Sequence, residues 1–318
     1  MCDETRRGFI KRVAAGAGTA LGMAAVNPAN DVLAAEDTFQ ARYAICNETF
    51  GDWPFDRVCA LAAECGYGGI EIAPFTIAND VTDISTSRRS QLRRQAEKAD
   101  LQIVGLHWLL SRTEGFHLTS PDAGVQRKTA GYLAALADFC ADLGGHLLIF
   151  GSPQQRNLLA GVSHAQGMGY AAQVIQAAVP ALERTGVTLA MEPLAPEATN
   201  FINRAADAVD LIERVDSPRC RLILDCNAMS TEPAPIPELI RANRRHLVHF
   251  HANDPNKQGP GFGDLDFMPI ARALREIDYS GWTSVEVFDY SPGPERLARE
   301  SIRYLKTCFA EAEKSKTP

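Results

Sequence analysis

VTLAMEPLAPEATNFINRAADAVDLIERVDSPRCRLILDCNAM, residues 187–229, holds one complete strand–helix–strand unit. Its outer parts, VTLAMEPL (187–194) and RLILDCNAM (221–229), are short apolar runs of the kind that strands buried on both faces produce. Each run closes on a carboxylate, Glu192 or Asp225. Between them NRAADAVDLIERV repeats its apolar residues at intervals of three and four, the period of an amphipathic helix. Two buried strands joined by a helical crossover run parallel.

The same alternation extends in both directions. YAICNETF (43–50), GGIEIAPF (68–75), IVGLHWLL (103–110), HLLIFGSP (146–153), LVHFHAND (247–254) and TSVEVFDY (283–290) bring the strands to eight. Helical stretches such as PFDRVCALAAEC, RRSQLRRQAEKAD, RKTAGYLAALADFCADLG and GYAAQVIQAAVPALERTG separate them. Eight such repeats predict an α/β fold, a closed (β/α)₈ TIM barrel, ahead of an open doubly wound sheet. TEPAPIP (231–237) reads as a rim loop before a short helix, and no linker divides residues 36–318, so they form one barrel domain. The G-x-G at Gly16–Gly18 follows no strand and is not a nucleotide fingerprint.

Residues 1–35 differ in kind. Arg6-Arg7-Gly8-Phe9-Ile10-Lys11 precedes the weakly hydrophobic VAAGAGTALGMAAV, and the small residues Ala34 and Ala35 follow. This segment resembles a twin-arginine export signal, which predicts a partner in the twin-arginine machinery and a periplasmic or exported protein. An N-terminal membrane anchor is the rival reading. The net charge of −7 gives no basic footprint for a phosphate backbone, so nucleic acid is excluded as the first partner class. Seven cysteines follow Cys2, an odd number without C-x-x-C spacing, which points to small core residues rather than a disulfide framework or zinc ribbon. Cys226, next to Asp225, is expected to face away from it into the core.

Glu192, Asp225, His251 and Glu286 stand at the ends of strands five to eight, separated by 33, 26 and 35 residues. In a TIM barrel the carboxyl ends of strands form the active rim, so this spacing gathers three carboxylates and an imidazole. Such a donor set suits a divalent metal ion, Mn²⁺ first, with Mg²⁺, Co²⁺, Fe²⁺ or Zn²⁺ as rivals. Asp225 also reads as a helix cap, and His251 as a core histidine. Earlier strand ends add Asn47, Glu48, Glu71, His107 beside Trp108, and Arg156 after the Gly151-Ser152-Pro153 turn. Asn47, Glu71, His107, Arg156 and Lys257 are candidate substrate contacts, against hydrogen bonding to neighbouring loops, packing or plain solvation. Asn200 is a weaker candidate, and Glu48 takes no role.

The order Glu, Asp, His, Glu resembles the xylose isomerase-like barrels, and within them the sugar and sugar-phosphate isomerases and epimerases such as the ketose 3-epimerases. Resemblance spans 43–310 and is sharpest at AMEPL (190–194), Leu224-Asp225, HAND (251–254) through GPGFG (259–263), and Val285-Glu286. GLHWLL followed by FGSPQQR is similar to a subgroup pattern of that family. It implies that Glu192 and Glu286 are both metal ligands and the paired acid/base groups, with Asp225 and His251 completing the coordination. His251 is preferred to His249 because it opens the H-x-x-D stretch, which leaves His249 a supporting place. Two departures stand out. Lys257 occupies a position where many relatives carry an arginine, and Lys lacks the bidentate fork. Ala228 stands where many ketose 3-epimerases carry a histidine, which argues against a simple ketohexose 3-epimerase. The same Ala228, with Asp264-Leu265-Asp266 in place of Asp-x-His, argues against the repair-nuclease branch of the family.

The expected function is therefore metal-dependent isomerisation or epimerisation of a small carbohydrate through an enediolate. Export predicts an unphosphorylated sugar, keto-sugar or glycoside. The alternatives are a lyase that expels the aglycone of a 3-keto-glycoside and a noncatalytic periplasmic carbohydrate-binding protein. A homo-oligomer is left open.

Overall fold

The computed structural model describes residues 39–314, so the segment at 1–35 read as an export signal lies outside the described residues. Eight parallel strands close in sequential order, with β1 returning to β8. They are β1 (Arg42–Cys46), β2 (Gly69–Ile72), β3 (Gln102–Leu106), β4 (Leu147–Phe150), β5 (Thr188–Met191), β6 (Cys220–Asp225), β7 (Leu247–Ala252) and β8 (Trp282–Val285). The flanking helices are α1 (Phe55–Cys65), α2 (Thr86–Lys98), α3 (Ala123–Asp142), α4 (His164–Thr185), α5 (Ala205–Val215), α6 (Cys226–Met229), α7 (Ile236–Ala242), α8 (Met268–Glu276) and α9 (Pro294–Lys314).

Each strand sits inside its apolar run and stops earlier than the run does. Pro74, Pro153 and Pro193 follow β2, β4 and β5 within three residues, and proline cannot donate to a ladder. Polar rim residues such as Asn47, His107, Glu192 and Glu286 therefore fall just past the last paired position. Gly66 and Gly186 close α1 and α4 in the left-handed region, at φ +92° and +73°.

Side chains two apart on a strand share a face. Ala190 therefore lies beneath Glu192, Ile223 beneath Asp225 and His249 beneath His251. Ala44, Val104, Leu147, Ile149, Ala190, Ile223 and Trp282 form a separate buried cluster, the apolar floor inside the barrel. The opposite strand faces, with Leu189, Met191, Leu222, Leu224 and Phe250, join the larger core under the helices. The seven cysteines among the described residues are free, and all but Cys65 are buried. Cys226 opens α6 rather than continuing the strand, and it packs into the larger core.

Candidate metal centre

The barrel brings the predicted quartet together. Glu192, Asp225, His251 and Glu286 are all buried, and one ligand atom from each lies within 4.8 Å of the others. His251 Nδ1 is 2.9 Å from Glu286 Oε2 and 3.8 Å from Glu192 Oε1. His251 Nδ1 and Glu286 Oε2 are buried and face each other as an ion pair outside hydrogen-bond geometry. Orphaned buried donors and acceptors are costly, and a cation among them would satisfy them.

The orientation of His251 has a visible cause. Its Nε2 lies 3.2 Å from Glu71 Oε2, while Glu71 Oε1 takes His249 Nε2 at 2.7 Å. Glu71 thus holds the ring with Nδ1 turned to the quartet, the arrangement in which a carboxylate fixes the far nitrogen of a ligating histidine. Asp225 caps the helix that follows it and keeps its place in the quartet. Its Oδ1 accepts from Ala228 N at 2.8 Å and caps α6, and its Oδ2 accepts from Asn253 Nδ2 at 2.5 Å. A carboxylate offers about four lone-pair sites, so two hydrogen bonds do not exhaust it.

Charge in this space is unbalanced. Burial, with Glu192 and Glu286 nearby, pushes Asp225 up to about 7. Burial also raises Glu286, against the opposing pull of His251. Burial acts to lower His251, but Glu286 and Glu71 outweigh it and hold the imidazole well above its usual range. Glu71 goes the other way: burial would raise it, yet His249 and His251 keep it well below. The raised carboxyls and imidazole mark a centre short of positive charge, which a divalent cation would supply. Two other groupings of ligand atoms share members with the quartet, Cys46 with Glu48, His107 and Glu286, and Cys46 with Glu71 and His251. They fit a cation less well, because burial pushes the Cys46 thiol up to about 12, away from the thiolate that ligates.

A cavity of about 230 Å³ opens over the quartet, lined by Glu192, Asp225, Glu286 and Lys257, with Trp108 and Phe288 as an aromatic wall. Those two rings meet edge-on at 6.3 Å. Ala228 lines the same cavity and leaves it wider than a longer side chain would. Lys257 sits at φ +72° and makes no ion pair among the described residues.

Three candidate substrate contacts have other occupations. Arg156 is fully buried, and its guanidinium donates to the carbonyls of Glu192 at 2.5 Å, Ile202 at 3.0 Å and Phe150 at 3.4 Å. It braces the chain behind Glu192 instead of reaching a sugar. Glu71 is spent on the two histidines. Asn47 ties the β1 and β2 loops together, accepting from Ala73 N and donating to Thr76 Oγ1, both at 2.8 Å. Asn200 likewise accepts from Leu158 N at 2.7 Å. His107 is fully buried, with Nε2 2.5 Å from Glu48 Oε2. Burial lowers His107, but Cys46 and Glu48 prevail and raise it. Glu48, which took no role from the sequence, is therefore part of the centre. Glu48 lies in the 3-10 turn Asn47–Phe50 that follows β1, where strand alternation no longer applies, so no strand pattern marks it.

Eight sequential parallel strands with a carboxylate and histidine cluster at their carboxyl ends define a TIM barrel with a candidate metal centre at its rim. The model of the xylose isomerase-like TIM barrel family matches residues 59–308, and the chain belongs to that family. It is 25% identical over 264 residues to a Synechocystis protein named a probable ketose 3-epimerase, covering 78% of this chain and 88% of that one. It is 32% identical over 125 residues to the Escherichia coli 3-dehydro-D-guloside 4-epimerase, covering 39% and 48%. The fold superposes on the D-psicose 3-epimerase of Clostridium cellulolyticum with a TM-score of 0.75 at 19% identity, covering 84% of this chain and 99% of that one.

Proposed function

We propose that the protein is a divalent-metal-dependent isomerase or epimerase of a small unphosphorylated keto-sugar. The observation that carries this reading is the convergence of Glu192 and Glu286, with Asp225 and His251, on one buried centre beneath a sugar-sized cavity. Relatives named as ketose 3-epimerases and a 3-dehydro-guloside 4-epimerase support the reaction class.

Glu192, Asp225, His251 and Glu286 would hold the ion, with Mn²⁺ as the proposed occupant on account of three carboxylates and one imidazole. A divalent cation there supplies positive charge against the oxygens of an enediolate. Proton transfer belongs to the chain's own carboxylates: one takes the proton from the carbon beside the carbonyl, and the other delivers one to the product. Trp108 and Phe288 offer the sugar ring an apolar wall, and Lys257 is a cation within reach of its oxygens.

With Mn²⁺ and a panel of ketoses and keto-glycosides in deuterated water, the protein should exchange the proton next to the carbonyl. Glu286→Gln should lower that exchange by about 10²–10⁴-fold, the usual worth of a positioned acid/base group. Undiminished exchange in this variant would remove the paired-carboxylate mechanism.

The export reading belongs to the same proposal. Arg6-Arg7 ahead of a weakly hydrophobic segment supports passage through the twin-arginine route to the periplasm. Replacing both residues, Arg6→Lys and Arg7→Lys, should retain the protein in the cytoplasm by cell fractionation. Periplasmic recovery equal to wild type would dismiss this localisation.

A further inference from the structure

The rim of the barrel carries two cavities, and the metal centre uses one of them. A second, of about 750 Å³, is more than three times the first and is built from the loops after β1, β2, β3 and β8. The loops after β3 and β8 belong to both: Trp108 and Phe288 face the first cavity, Arg112 and Tyr290 the second. Their walls contain two neighbouring buried carboxylates. Glu286 lines the first, Glu48 lines the second, and they contribute ligand atoms within 4.8 Å of each other. Glu48 Oε1 is buried and has no hydrogen-bond partner.

Size separates their uses. At ~30 Å³ for each water, the first cavity holds about seven or eight waters, room for one sugar ring and little more. The second lies in the range of ligand sites for larger molecules. Its walls carry five aromatic rings, Phe50, Trp53, Phe55, Phe75 and Tyr290, and Tyr290 is one of two large apolar side chains left exposed among the described residues. Arg112 lies over the Phe75 ring, 4.4 Å from its centroid, and is held at φ +60°, a backbone region that a branched or long residue rarely adopts. Neither Arg112 nor Arg88 pairs with a carboxylate among the described residues. Of the two acids in the wall, Glu48 gives an oxygen to His107 and Asp52 is exposed.

We propose that this second cavity is an aglycone subsite, and that the substrate is a keto-glycoside whose aglycone is aromatic and carries an anionic group met by Arg112. The proposal rests on the keto-sugar reading above and adds what is attached to the sugar. With the keto-sugar over Glu192 and Glu286, the glycosidic substituent passes Glu48 into the aromatic space, where Tyr290 and Trp53 contact the ring.

Binding rather than turnover tests it, on the full chain stripped of metal by a chelator, so that a failed reaction assignment leaves the measurement standing. Three ligands suffice: the methyl, phenyl and 4-carboxyphenyl 3-keto-β-D-glucopyranosides, titrated by calorimetry and by Trp fluorescence. The phenyl compound should bind about tenfold more tightly than the methyl compound through ring contacts. The carboxylate should add about a further tenfold, the scale of a hydrogen bond to a charged group. Arg112→Ala should erase the carboxylate preference, and Arg112→Lys should retain part of it, which separates charge recognition from a folding defect. Equal affinity for methyl and phenyl ligands, no binding of any of the three, or a carboxylate preference that persists in Arg112→Ala would each overturn the subsite.

Discussion

At the residue scale the centre depends on which nitrogen of His251 faces the carboxylates, and Glu71 decides that. Its two oxygens bridge His249 and His251, leaving His251 Nδ1 for a ligand. Glu71→Gln keeps the volume but places an amide against one imidazole and removes the charge that holds the ring. Metal affinity should fall about 10–100-fold, the cost of losing an orienting partner. Titration with Mn²⁺ followed by electron paramagnetic resonance reads it, and an affinity equal to wild type would show that His251 needs no such support. The quartet itself was legible because each member closes an apolar run, so sequence alone fixes both burial and direction. Glu71 lies within β2 and Arg156 in the loop six residues beyond β4, and their partners come from elements far along the chain. Glu71 meets β7, and Arg156 meets the segment after β5. No local pattern reveals that a polar residue will be used up by another strand's histidine or by stranded carbonyls.

At the scale of elements, the eight strands were readable because burial on both faces leaves an uninterrupted apolar signature, whereas their ends were not. Run length overstates strand length: the apolar positions of 103–110 continue through Leu109 and Leu110, but pairing in β3 ends at Leu106 and the chain turns at Trp108, φ +52°. Close approach between neighbouring strand ends is a further property that sequence patterns do not carry. Gly151, just past β4, leaves space for Glu192: a Cβ built there would lie 2.5 Å from Glu192 Oε2. Gly151→Ala should therefore fold, since the far end of a side chain can yield, while displacing the very carboxylate proposed to act on the substrate. A displacement approaching 1 Å at a reacting group costs up to about 10²-fold in rate. The expected pattern is a lower kcat with a melting temperature close to wild type. A wild-type kcat would mean that Glu192 has slack. Arg156→Met, by contrast, strands the carbonyls of Glu192 and Ile202 and should show its loss in stability, at about 1–3 kcal/mol for each group left unsatisfied. Thermal or urea unfolding measures that loss.

For the molecule as a whole, the buried centre couples stability to pH and to metal. Without an ion, Asp225 holds its proton up to about pH 7 in the folded chain, against an ordinary value of 3.8. The native state then binds more protons than the unfolded state between those values, so stability falls as pH rises through that window. Glu286, also raised, acts in the same direction. His251 is raised as well, and its contribution is complete below 6.5 and lost as pH climbs through its folded value. Glu71 acts oppositely, but its folded value lies well below 4.5, so its contribution is already complete in neutral solution. These signs agree above pH 6, and the metal-free protein should melt at a lower temperature at pH 8 than at pH 6. A bound cation reverses the trend, because it replaces the protons and binds only the folded arrangement. At a hundredfold excess over its dissociation constant it adds about 2.7 kcal/mol. Its affinity should itself rise with pH, since Asp225 must release a proton to ligate. Melting curves at both pH values, with chelator and with Mn²⁺, test the coupling, and Asp225→Asn should flatten the metal-free slope while abolishing the metal's effect. A metal-free protein that grows more stable from pH 6 to pH 8 would mean that the carboxylates of the quartet are not held protonated by one another, and the charge argument for a cation at this centre would fall with it.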